Sequence, residues 1–114
     1  MLDVRRFGPG NRHTEPPPHC RKMHTAIILN DHSAAVVELH FLPGGDMWEH
    51  AADHPILFTV IEGKGKVRVA GQDAQLQAGE AVFWPAGKPH KAWAEEEPFT
   101  ALVFEYDIPH QPTA

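Results

Sequence analysis

The chain has 114 residues, 42% hydrophobic and 22% charged, with a formal net charge of −5 and one cysteine. That length suits one domain with a modest core. Its scattered basic residues exclude the clustered Lys and Arg that nucleic-acid binding needs, and no apolar run approaches the ~18–20 residues that span a bilayer.

With Cys20 unable to form an internal disulfide, the expected compartment is the cytoplasm, with neither nucleic acid nor membrane as a partner. Nine histidines and eleven prolines are the unusual entries in the composition. Residues 1–21 are rich in proline, glycine and charge. Pro16, Pro17 and Pro18 favour an extended path without hydrogen bonds, so this stretch reads as an irregular arm, suited to lying along a partner subunit.

From Lys22 the pattern changes to short β-rich runs. KMHTAIIL reads as a strand closed by an Asn30–Ser33 turn. AAVVELHF alternates, with Val37, Leu39 and Phe41 on one face and Glu38 and His40 on the other. Pro43-Gly44-Gly45 ends it, and Met47–His50 reads as a short strand. LFTVI is continuously apolar, as in a strand covered on both faces. Glu62-Gly63-Lys64-Gly65 reads as a turn and KVRVA as a further alternating strand. AQLQ, EAVFWP, HKAWA and FTALVFEY complete the set. About nine short strands without a helical period indicate an all-β sandwich or barrel.

Two stretches carry more. In one, Gly44, His50 and Gly63 recur at fixed spacing; in the other, Gly79, Pro85, Gly87 and His90 do. Together they resemble the two motifs of the cupin superfamily across roughly residues 35–105. The second fits well, with Ala94 where the family often has Asn. The first keeps its spacing, but Ala52 stands in the slot of a second histidine and Ile56 in that of a glutamate. The resemblance implies a single-domain jelly-roll (double-stranded β-helix) barrel over residues 22–108, with a tail at 109–114. It also implies one divalent metal ion (Fe, Mn, Ni, Zn or Cu), and dioxygenase chemistry among the family's activities.

A metal that does chemistry takes about three protein ligands and an open position. His50 and His90 occupy the two family positions, and His54 is the candidate third. In a regular strand it would lie about 13 Å from His50, so a bend at residues 51–55 must bring it in; a solvated loop histidine is the alternative. His40 should lie at the surface or mouth. His13, His19, His32 and His110 read as surface residues, and His24 is open between faces. Met47, Trp48, Phe58, Trp84, Trp93 and Phe104 are candidate pocket walls, or simply core. Two functions stay in play: metal-dependent chemistry on a small organic molecule, or a non-enzymatic module binding a small metabolite. A homodimer is expected, with the arm and the KMHTAIIL edge strand crossing to the partner.

Overall fold

The computed structural model describes residues 1–109; His110 and most of the expected tail lie outside the described residues. Seven strands make up the fold: β1 Cys20–Asn30, β2 Ala35–Met47, β3 Ile56–Val69, β4 Gln72–Gln77, β5 Ala81–Trp84, β6 His90–Trp93 and β7 Phe99–Glu105. Among the described residues no helix is long and apolar enough to cross a membrane.

Two long strands belong to both walls. The first half of β3 pairs with β5 and β7, and its second half with β4 and β6. β2 likewise pairs with β7 along Ala35–Phe41 and touches β6 at Asp46. One wall therefore runs β1-β2-β7-β3-β5, the other β2-β6-β3-β4, and the two close as the expected all-β jelly-roll barrel.

The strand count is lower than expected because two apparent turns are corners inside strands. Gly63 bends β3 at a φ of 75°, and a Cβ on Gly65 would overlap the Phe99 ring. These glycines let β3 pass tightly beneath the start of β7 without leaving the ladder. In the same way β2 continues through Pro43-Gly44-Gly45, where a Cβ on Gly45 would meet the Lys22 carbonyl at 2.5 Å. The Met47–His50 strand is reduced to the end of β2 and an isolated bridge between His50 and His90.

Aromatic rings fill the interior. Phe41 stacks on Phe99 at 4.4 Å between centroids, and Phe58 packs edge-on to both. Ile56, in the family's glutamate slot, is core beside Phe58 and Val60. Such pairs add about 0.5–1.5 kcal/mol each beyond the area they bury.

The arm does not hang loose. Gly8 N–H and the Arg12 guanidinium both donate to the Glu38 carboxylate, and His13 exchanges two backbone hydrogen bonds with Thr25. Glu38 points away from the barrel core, as alternation predicts, yet it is only 1% exposed because the arm covers it.

Candidate functional site

His50 and His90 meet although forty residues separate them in the chain. Their backbones exchange hydrogen bonds of 3.1 and 2.8 Å, and their rings lie 4.6 Å apart, edge to face. Each imidazole is pinned alike: His50 Nδ1–H donates to Trp48 O at 2.9 Å, and His90 Nδ1–H to Lys88 O at 3.3 Å. A carbonyl can only accept, so each neutral ring carries its proton on Nδ1 and keeps a lone pair on Nε2. The His90 Nε2 is buried with no hydrogen-bond partner. Burial first, and the neighbouring His50 second, push the His90 pKa down to about 4. At neutral pH His90 is therefore an uncharged base.

The pair caps the aromatic core. Trp84, from the other wall, stacks on His90 at 4.1 Å and on Phe58 at 4.7 Å. Its indole N–H is also buried without an acceptor. On the solvent side Trp48 stacks on His50 at 5.4 Å, and His19 packs on Trp48 at 4.8 Å. His19 reads in the sequence as an ordinary surface residue of the arm, and nothing there signals this contact; only the fold brings residues 19 and 48 together.

The other expected site residues divide. Met47 packs against the core, and Phe58 is wholly buried. On β6, His90 and Ala92 face inward, so Trp93 stands on the outer surface between the cations of Arg68 and Lys91. There it helps to line an external groove with Lys66, Asp73 and Gln75. On β7, Val103 faces the core and Phe104 is exposed on the outside. Neither Trp93 nor Phe104 shares the face of the histidine pair.

His54 is not assembled with them either. The bend at residues 51–55 exists, but it turns His54 toward β7, where Nε2 bonds Glu105 at 2.7 Å and Nδ1 bonds Asp53 at 2.8 Å. Burial pulls its pKa down, yet the bonds to Glu105 and Asp53 outweigh this and leave it above the ordinary histidine value. A ring with both nitrogens committed to carboxylates has no lone pair for a metal. Among the described residues no three His, Cys, Asp or Glu side chains come together to hold an ion. The divalent metal implied by the resemblance thus finds two suitable imidazoles and no third donor. These residues do not fit a tightly held catalytic ion.

His40 lies on the outer face, as expected, with Nδ1 2.8 Å from Thr100 Oγ1. Burial, then the charges of Arg12 and His24, hold its pKa below the ordinary value.

Comparison with known proteins places this geometry. A family model described as "Cupin domain" matches residues 37–105. A curated relative, an uncharacterized protein of Aquifex aeolicus (strain VF5), is 33% identical over 64 residues. The match covers 56% of this chain and 53% of that relative, about half its length. Among solved structures, TT1209 from Thermus thermophilus is 27% identical with a TM-score of 0.73, covering 85% of this chain and 92% of its own. The polyketide cyclase RemF from Streptomyces resistomycificus has a TM-score of 0.81 at 18% identity, covering 98% and 83%. An RmlC-like cupin from Shewanella frigidimarina NCIMB 400 has 0.77 at 21%, covering 93% and 92%. The last two likenesses concern the fold alone.

Proposed function

Since the chain belongs to the cupin domain family, we propose that it is a small-molecule-binding cupin whose ligand is held by the paired imidazoles of His50 and His90. The observation that carries the reading is the buried His90 Nε2, left without a partner. A buried acceptor with nothing to accept from costs about 1–3 kcal/mol, a cost that a ligand's donor group removes.

The donor pattern specifies the ligand class. The Nε2 lone pair of His90 accepts a hydrogen bond, and the unpartnered Trp84 N–H donates one. A hydroxyl can donate to His90 Nε2 and accept from the Trp84 N–H; a carboxylate can only accept and would leave the His90 lone pair unmatched. The ligand is therefore a small neutral hydroxyl compound, with an apolar body suited to the aromatic walls. His90 is 1% exposed, so entry requires Trp48 and His50 to swing outward. His50 is the member able to move, being held to the sheet by an isolated bridge.

A divalent ion on the two imidazoles is the competing occupant, since a carbonyl-anchored Nδ1 is also how metal-bound histidines are oriented. One preparation, purified without a histidine tag, tests both. Metal content well below one ion per chain is expected. Phenol should shift the His50 and His90 ring resonances, benzoate should not, and His90→Ala should abolish the phenol effect. Stoichiometric metal lost in His90→Ala, or no response to phenol, would overturn the reading.

A further inference from the structure

Residues 16–20 read Pro-Pro-Pro-His-Cys, and the run ends in a turn in which Cys20 N–H donates to Pro17 O at 3.0 Å. Pro18 suits the second position of such a turn because its ring fixes φ. The third position holds His19 at a φ of 65°, in the left-handed region that glycine normally fills there. A side chain kept where glycine is easier implies a use outside the turn. Its contact is Trp48. β1 and β2 pair Cys20 with Met47 and Arg21 with Asp46, so one step further along sets His19 opposite Trp48, and the two rings lie 4.8 Å apart.

That contact is the outer end of an unbroken file of rings. His19, Trp48, His50, His90, Trp84 and Phe58 follow one another at 4.1–5.4 Å from the arm to the core. The ladder of β2 stops at Met47, and the next backbone bond to the sheet is the His50–His90 bridge. Between these points Trp48 is 49% exposed, and its ring touches those of His19 and His50. Glu49 adds only an exposed ion pair to Arg68 at 3.7 Å, which solvent screens. Trp48 also carries the carbonyl that anchors His50 Nδ1, so the two move together. The other side of the mouth is tied more firmly. Gly87 N–H donates to Ala52 O at 2.8 Å, Tyr106 N–H donates to Pro55 O at 3.4 Å, and His54 bonds Glu105. The mouth therefore opens on the side of the arm.

We propose that the Pro17–Cys20 turn is a latch on the entrance to the imidazole pair, with His19 setting how often Trp48 and His50 swing out. The latch rests on the reading of His90 as a ligand site and adds to it the route of entry and its control. Residues 8–13 stay seated on Glu38 and Thr25 while the His19 ring lets go, so entry takes a local opening and leaves the rest of the arm in place. A ligand meets only the opened state, and a ring contact made only in the closed state lowers the opened population. His19 touches neither His90 nor the ligand; it is a positioning residue that acts through Trp48.

His19→Gly tests this in the full chain, because it removes the ring and suits the turn. Hydrogen exchange at the His50 amide, followed by NMR without ligand, should quicken roughly two- to tenfold, the worth of one aromatic contact. The Phe58 amide, deep in the wall, should exchange as before. The association rate of phenol should rise by the same factor as the His50 exchange, since both use one opened state. His19→Phe, which restores a ring, should return both rates toward wild type. Unchanged His50 exchange, equal quickening at Phe58, or faster exchange without faster association overturns the latch. If phenol binds none of the three proteins, the ligand reading fails by itself; the His50 exchange rate in His19→Gly then decides the latch, faster upholding it and unchanged refuting it.

Discussion

Glu38 under the arm and His90 inside the barrel are equally buried, each at 1% exposure, yet their polar atoms fare very differently. Glu38 accepts from Gly8 at 2.8 Å and twice from Arg12 at 3.1 Å. Burial alone would raise its pKa, but Arg12 and Gly8 outweigh that and hold it below the ordinary carboxylate range. His90 has one bond of 3.3 Å and a second nitrogen with no partner. A fully partnered buried charge is architecture: it seats the arm and shapes the outer face. A buried ring nitrogen without a partner contributes nothing to folding that an apolar atom could not, which is why the proposed ligand site is placed at His90 and not at Glu38.

The largest effect should come from removing one side of the partnered site. Arg12→Ala leaves Glu38 facing a neutral arm, and the chain should lose about 3 kcal/mol in urea unfolding. A loss of well under about 1 kcal/mol would mean that the arm lifts and water replaces the guanidinium at little cost, which would break the contrast with His90.

The pH dependence sharpens it. The folded His90 pKa of about 4 lies below the ordinary 6.5, so between these values the unfolded chain binds more protons. Stability should fall as pH drops through that window, by on the order of 3 kcal/mol. His54, whose pKa is raised, acts in the other direction: its contribution is complete below the unfolded value and is lost as pH rises through the folded one. His90→Gln should flatten the acid limb, and NMR titration should order the two histidines with His54 the more basic. Equal slopes in wild type and His90→Gln would show that the ring is not desolvated.

The smallest effect should come from Trp84→Phe, which keeps the stack on His90 and Phe58 while deleting the unpartnered indole N–H. The change should stay within about 1 kcal/mol, because the lost packing is offset by removal of an orphaned donor. Phenol binding should weaken with stability almost unchanged, separating the ligand-facing atom from the packing ring.

Much of the wall was legible in the residues. Alternation at Val37, Leu39 and Phe41 places side chains on the correct faces because strand periodicity is local. The apolar run around Phe58 reads as covered on both faces, but only Ile56, Phe58 and Val60 are buried, while Leu57 and Ile61 are exposed on the outside. Corners were not legible. Gly63 and Gly65 read as a turn because glycine usually marks one, whereas here they permit close passage under Phe99. Of the site, the meeting of His50 and His90 followed from the two motif spacings. The choice between His54 as ligand and His54 as partner of Glu105 did not, since Glu105 is fifty-one residues away.

The amino-acid pattern by itself determined the all-β character and the buried face of the alternating strands, because propensity and alternation act over a few residues, and the likeness to the two cupin motifs indicated the two histidines that converge. Only the tertiary structure decided that Glu38 is covered, that His54 is spoken for, that Trp93 and Phe104 face outward and that His90 Nε2 is left alone. Each depends on which distant segment arrives opposite a given side chain, and that is settled by closing the barrel as a whole.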